Sequence, residues 1–262
     1  MKRRVSAEVI LNREIAPSIY DMWIQPVQKL PEVNPGQFIG VFLKDKSLLL
    51  PRPISICEVS ADRTALRIVY RIAGAGTHEM SLRRPNDGLG YLTVLGPLGN
   101  GFPLERGEGK RALLIGGGIG IPPLLELAKR LKAEKQIVVG YQNCNTAGFL
   151  QKDLAQYGTV HIATEDGSVG TKGNVLDAIR QKAPEADILY ACGPMPMLRA
   201  VKAYAQEKGI PAYISLEERM ACGVGACLGC VVKTNKVHHH TNVNNARICT
   251  DGPVFEAGEV DI

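Results

Sequence analysis

Four cysteines toward the C-terminal end, Cys222, Cys227, Cys230 and Cys249, are separated by four, two and eighteen residues. This C-x4-C-x2-C…C spacing is the one used by plant-type [2Fe–2S] sites, so one-electron transfer is the first chemistry the chain suggests. Gly223, Gly225 and Gly229 punctuate the same loop. Amides there must turn inward toward bridging sulfides, and glycine accepts a positive φ at low cost. Four thiolates also satisfy a tetrahedral zinc ion. Zinc ribbons, however, pair their cysteines as two short hooks, whereas here three lie on one loop and the fourth is remote. Structural disulfides fit less well, because seven cysteines is an odd number. The apolar stretch after Met1-Lys2-Arg3-Arg4 is broken at once by Ser6, Glu8 and Asn12, so no signal peptide is read and the chain is expected to be cytoplasmic.

A second group of residues is suited to holding phosphates. Gly116, Gly117, Gly118 and Gly120, followed by Pro122 and Pro123, stand where backbone amides and a helix start could receive a pyrophosphate. The bland reading is a tight turn without a ligand. The next strand ends in Gly140-Tyr141-Gln142-Asn143 with no arginine for a 2′-phosphate, which favours NAD(H) over NADP(H). A third group is Arg52, Pro53, Ile54 and Ser55 with Val69, Tyr70, Arg71, Gly76 and Thr77. A guanidinium and a hydroxyl can orient a diphosphate, and a tyrosine can support a planar isoalloxazine, so these residues form a candidate flavin site. Taken singly they also read as an Arg-Pro turn on a barrel edge and a solvated arginine. Cys192, in Cys192-Gly193-Pro194, either faces a nicotinamide or is a small buried hydrophobe. Cys57 and Cys144 are expected to be structural, and His238, His239 and His240 to lie in an exposed loop.

These groups need three kinds of scaffold. Short apolar segments Val5–Leu11, Ile19–Ile24, Gln37–Leu43, Ser55–Val59, Ala65–Ile72 and Tyr91–Leu95, separated by Pro, Gly, Asn and Asp, predict a small antiparallel barrel. From Lys110 strands and helices alternate: strand Ala112–Ile115, helix Leu124–Ala133, strand Ile137–Tyr141, strand Val160–Ala163, helix Val175–Gln181, strand Asp187–Ala191 and helix Pro196–Lys208. That order predicts a doubly wound parallel sheet. The expected division is 1–103, 104–215 and 216–262, the last carrying the cysteines. With 45% hydrophobic residues there is ample core. A net charge of +5, with basic residues scattered among acidic ones, gives nucleic-acid binding little support. No run of eighteen apolar residues exists, which excludes a membrane-spanning helix.

The combination of an Arg-Pro-x-Ser barrel, a glycine loop with Cys-Gly-Pro, and a C-terminal cysteine set resembles the ferredoxin–NADP reductase superfamily along the entire chain. Within it, Arg52–Ser55, Tyr70–Thr77, Leu95-Gly96-Pro97-Leu98-Gly99-Asn100-Gly101-Phe102, Glu218–Cys230 and Cys249-x-Asp251-Gly252-Pro253-Val254-Phe255 are similar to electron-transfer subunits of NAD-dependent dihydroorotate dehydrogenases. The resemblance implies a Greek-key FAD-binding barrel, an NAD-binding α/β domain and a [2Fe–2S] module. It implies FAD at Arg52–Ser55, Val69–Arg71, Gly76 and Thr77, and cluster ligation by Cys222, Cys227, Cys230 and Cys249. It also implies an FMN-containing dihydroorotate dehydrogenase catalytic subunit as partner, in a heterotetramer with two copies of each subunit, serving pyrimidine biosynthesis. In such a relay electrons pass singly through the cluster to FAD and leave as a hydride to NAD⁺. The polar insertion rich in histidine before Cys249 departs from the pattern. Two other readings stand beside this one: an electron-transfer subunit with a different partner, of the sulfide dehydrogenase or ferredoxin–NADP oxidoreductase type, and a non-redox module binding a nucleotide and zinc.

Overall fold

Alternating burial along the first hundred residues folds them into a closed barrel. In the computed structural model, which describes residues 3–29, 31–45, 47–85, 90–182, 184–235, 237 and 243–262, the barrel strands are β1 (Arg3–Ala16), β2 (Ile19–Pro26), β3 (Phe38–Phe42), β4 (Arg52–Val59), β5 (Leu66–Arg71) and β6 (Tyr91–Leu98). All neighbours are antiparallel, in the order β1-β2-β5-β4-β3-β6. Met22, Ile24, Ile39, Ile56, Leu66 and Ile68 fill its interior. Each comes from the inward-facing set that a period of two provides.

A short helix α1 (Ala75–Ser81) follows β5 directly. Local sequence argues against this helix, since Gly74 precedes it and Gly76 sits in its first turn, where glycine is unfavourable. Its C-terminal carbonyls are held instead by a buried side chain: Asn12 Nδ2 donates to the oxygens of Met80 (2.9 Å) and Arg83 (3.0 Å). Tertiary hydrogen bonds thus override local propensity.

A turn of helix α2 (Leu104–Gly107) leads to the sheet. Its strands are β7 (Arg111–Gly117), β8 (Glu134–Tyr141), β9 (Thr159–Thr164), β10 (Thr171–Lys172), β11 (Ile188–Cys192) and β12 (Ala212–Ser215), with helices α3 (Pro123–Arg130), α4 (Gln151–Leu154), α5 (Val175–Lys182) and α6 (Met195–Lys208). Ala112–Gly117 is buried throughout, as expected for a strand covered on both faces. Prolines open α3 and α6, and Gly209, at φ 65°, closes α6 in the left-handed region that glycine favours. The C-terminal stretch adds β13 (Val231–Lys233), β14 (Asn245–Arg247) and β15 (Val254–Glu256). Here the fold departs from an all-parallel sheet: β15 pairs antiparallel with β12, so the order is β10-β9-β8-β7-β11-β12-β15.

Barrel and sheet share a core. Ile19, Cys57 and Val69 pack with Ile121, Leu124 and Leu125. Polar bonds frame that contact: Lys129 Nζ donates to Glu58 Oε1 (3.0 Å), the Val59 amide to Glu126 Oε2 (3.1 Å), and Arg67 Nη1 to Asp153 Oδ1 (3.1 Å). Arg67 is also paired with the buried Asp21. None of the described helices is long and apolar enough to cross a membrane.

Candidate functional site

The strand order of the sheet reverses at β7. Its successors β8 to β10 run to one side, while β11 and β12 lie on the other. In doubly wound sheets the crevice outside the carboxyl ends at this reversal is where ligands bind. Both sequence-predicted elements converge there, since Gly116 is in register with Cys192. Gly118–Gly120 forms a single 3-10 turn after β7. A Cβ on Gly120 would stand 2.5 Å from the carbonyl of Cys192 and from the Cα of Gly193, so the two loops meet backbone to backbone. Gly117 likewise lies against Met197 and Pro194, and Gly116 against Leu124 and Ile121. A Cβ on Gly118, at φ 53°, would meet no atom within 4 Å, so this position faces open space. Three of the four glycines are therefore packing positions and one faces open space. Gly193, which the sequence reading did not single out as a site residue, is as tightly enclosed as they are.

Cys192 is partly buried at this crevice. Burial pushes its thiol up to about 12, with the Ser215 hydroxyl acting in the opposite direction. Burial thus favours the neutral thiol over the thiolate at neutral pH. Cys57 is fully buried, but Cys144, expected to be structural, is exposed in the turn after β8.

Around the barrel mouth, antiparallel pairing runs the start of β4 alongside the end of β5. Arg52, Pro53, Ile54 and Ser55 are half-buried there, and Arg71 is exposed. The Arg52 guanidinium lies directly on Gly76, where any side chain would collide with its Nε, and it donates to the carbonyls of Leu48 (3.1 Å) and Leu50 (2.6 Å). Thr77 Oγ1 accepts from the Ala73 amide (2.8 Å), shaping the approach to α1. β5 packs against the Gly118–Gly120 turn, so this mouth opens toward the sheet's crevice. One expectation needs correction: Tyr70 does not present its ring to the mouth. The side chain is buried in the barrel, stacked on Tyr20 at 5.8 Å, and its hydroxyl donates to Asn12 Oδ1 (3.2 Å). What Tyr70 can offer a flavin is its backbone.

The cysteine loop lies at the end of the barrel near Leu98. Gly223 and Gly225 have φ of 67° and 85°, the left-handed values the sequence required. Their turns aim the amides of Val224 and Ala226 at Cys222 Sγ (3.4 and 3.3 Å). Burial alone would raise the Cys222 thiol, but the Val224, Cys227 and Ala226 amides bring it down to about 6. Cys227 acts on the Cys222 thiol, and both Cys230 and Cys222 act on the Cys249 thiol, so the four cysteines lie in one neighbourhood. Burial and the neighbouring Cys230 sulfur push Cys249 up to about 12. All four cysteines are free thiols, and among the described residues no three His, Cys, Asp or Glu side chains converge on one ion position. Amides turned inward on Cys222, with no single ion position shared by the described cysteines, fit a two-iron group better than a single tetrahedral ion. Cys230 and Cys249 are buried, whereas Val224, Cys227 and Leu228 are exposed at the rim.

Sequence reasoning missed the residues that hold this loop in place. Arg247 makes a two-pronged ion pair with Asp251 (3.1 Å each) and reaches the Gly225 carbonyl (3.3 Å). The arginine and the aspartate flank Cys249, which was the available signal. Residues 238–242, with the histidine triplet, lie outside the described residues.

A family model described as the iron-sulfur cluster binding domain of dihydroorotate dehydrogenase B matches residues 217–261, the stretch just described. Over 99% of both chains, the sequence is 42% identical to the dihydroorotate dehydrogenase B (NAD(+)) electron transfer subunit of Geobacillus sp. (strain WCH70). The chain belongs to this family of electron transfer subunits. It is also 45% identical to the subunit of the same name from Bacillus caldolyticus, over 96% of each chain. Among solved structures, a chain of the NADH-dependent reduced ferredoxin-NADP oxidoreductase superposes with a TM-score of 0.85 at 31% identity, covering 97% of this chain and 89% of that one. The cytochrome b5 reductase domain of Ulva prolifera nitrate reductase shares the fold of 79% of this chain, with a TM-score of 0.63 at 18% identity, covering 94% of that domain. Membership in the family sets aside the non-redox, zinc-binding reading.

Proposed function

We propose that the chain carries electrons from a partner subunit that oxidises dihydroorotate to NAD⁺, using a [2Fe–2S] cluster and FAD. The observation that carries this reading is the placement of three sites in sequence: the cysteine loop against one end of the barrel, Arg52 over Gly76 at its mouth, and the glycine crevice facing that mouth. When bound, the cluster supplies one-electron steps, and the flavin joins them to the two-electron hydride chemistry of nicotinamide. Cys222, Cys227, Cys230 and Cys249 would hold the irons. Arg52, with Gly76 and Thr77, would hold the FAD diphosphate; Pro53, Ile54, Ser55, Val69, Tyr70 and Arg71 would line it, Tyr70 through its backbone. Gly118 would offer amides to the NAD diphosphate, while Gly116, Gly117 and Gly120 let the loops close, and Cys192 would border the nicotinamide as a neutral group. No side chain is assigned as a general acid or base.

The units that divide this work are residues 1–103 for FAD, 104–215 for NAD and 216–262 for the cluster, with β15 of the last completing the sheet of the second. The dihydroorotate-oxidising step belongs elsewhere. The described residues build a six-stranded antiparallel barrel and an open sheet, and neither is the (β/α)8 barrel of about 250 residues on which we place that step. The partner is therefore an FMN-containing catalytic subunit, two copies of each forming a cytoplasmic heterotetramer in pyrimidine biosynthesis. Exposed Val224 and Leu228 beside exposed Cys227 offer it an apolar rim close to the cluster.

Replacing one cluster ligand separates the two halves of the relay. Cys227→Ser is expected to abolish dihydroorotate-linked NAD⁺ reduction while the complex still oxidises NADH with an artificial acceptor. Full dihydroorotate-linked activity in that variant would contradict the reading.

A further inference from the structure

The barrel and the cysteine loop are separate in sequence, yet one side chain joins them. Asn100, just after β6, uses its amide as a strand uses its backbone. Nδ2 donates to the carbonyls of Val254 (2.8 Å) and Asp251 (3.0 Å), and Oδ1 accepts from the Val254 amide (3.0 Å). Its own backbone amide donates to the Gly252 carbonyl (2.6 Å). Four bonds thus fix the segment that directly follows Cys249. The neighbouring residue makes this approach possible: a Cβ on Gly99, whose φ is 72°, would stand 2.6 Å from Pro253 Cδ and 2.7 Å from the Gly252 oxygen. Gln37 Nε2 donates to the Gly99 carbonyl (2.7 Å) and secures the turn from the β3 side.

The same contact is the short way between two sites. Ser55 of the flavin motif is in register with Phe38, and Phe38 with Leu98. Leu98 Cδ1 in turn is 3.3 Å from where a Cβ on Gly223 would be, next to Cys222. Phe38, Leu98, Cys230, Ile248 and Cys249 pack in one apolar cluster. A shift of the segment after Cys249 would move that thiol relative to β6 and change this path.

We propose that Asn100 is the positioning residue that sets the distance and orientation of the cysteine loop relative to the flavin end of the barrel, and so governs electron transfer between the two groups. The inference rests on the relay reading given above. No other side chain of this length offers both a donor and an acceptor to Val254, since aspartate keeps only the acceptor. Electron transfer between two buried groups weakens steeply with their separation, so a displaced cysteine loop slows this step.

The test uses the anaerobically purified complex carrying wild-type chain, Asn100→Asp or Asn100→Ala. Flavin and cluster reduction by NADH are followed separately in single-turnover absorbance, with iron content, melting temperature and the electron paramagnetic resonance spectrum of the dithionite-reduced cluster. The expected result is a severalfold fall in the ratio of cluster to flavin reduction rates in molecules that retain iron, with a changed resonance spectrum. Asn100→Asp, of equal size, keeps the chain folded if Asn100→Ala does not. An unchanged spectrum and an unchanged ratio in the iron-loaded molecules, with only a lower melting temperature, would overturn the proposal. If the wild-type cluster accepts no electrons from NADH, the relay reading itself fails and this inference fails with it.

Discussion

Two glycines of one loop illustrate how the same residue serves different physics. Gly120 faces the backbone of Cys192 and Gly193, which cannot swing aside as a flexible side chain could, so an added methyl must push two loops apart. Gly118 faces open space, and within the chain itself only its φ of 53° calls for glycine. Gly120→Ala is therefore expected to cost about 1–3 kcal/mol of stability and to raise the KM for NADH severalfold. Gly118→Ala is expected to cost about 1 kcal/mol, the penalty of a left-handed alanine. Thermal melts and NADH titrations of both variants check this, and equal losses in the two would contradict it. The glycine run was legible in sequence as the loop between a strand and a helix, but not which glycine does which work. That depends on β11 lying beside β7, a contact made by residues some seventy positions apart. Tyr70 shows the same limit. Its place in the motif was readable, but its direction into the barrel follows from Asn12, fifty-eight residues away in sequence.

Elements with local signals were read well and those fixed by distant partners were not. All six barrel strands were anticipated from alternating burial between Pro, Gly, Asn and Asp breaks, and so were the helices α3, α5 and α6. The helix α1, the edge strand β10 and the antiparallel strand β15 were not. α1 has a glycine in its first turn and another just before it, β10 has two residues and β15 three, and each exists because something packs or bonds against it. The seam between barrel and sheet was equally hidden, and it carries a testable pH dependence. Burial pushes the Glu126 carboxyl above its ordinary range, and the Val59 amide, Lys129 and Arg130 oppose this only in part. Glu58 faces it as well and acts in the same direction as burial. The folded protein thus holds the Glu126 proton more tightly than the unfolded chain does. Its contribution to stability is complete below the ordinary glutamate value and is lost as pH rises through the raised one. Glu126→Gln, neutral throughout, is expected to melt higher than wild type near pH 7 and to lose that advantage toward about pH 4. A difference in Tm that does not vary with pH would contradict the assignment.

Across the whole molecule the logic is one of order. The cysteine loop sits against the end of β6, the mouth of the barrel opens on the sheet, and the nucleotide crevice lies where the strand order reverses. A protein that only bound a nucleotide and a metal would have no need of this sequence of sites, whereas a carrier of electrons between unlike donors and acceptors does. The central claim is tested most directly with the complex purified anaerobically, by following dihydroorotate-dependent reduction of NAD⁺ with this chain present and with it removed. The account expects NADH formation that requires the chain. A complex that holds flavin and iron yet forms no NADH from dihydroorotate would contradict it, and would transfer the relay to a different electron donor.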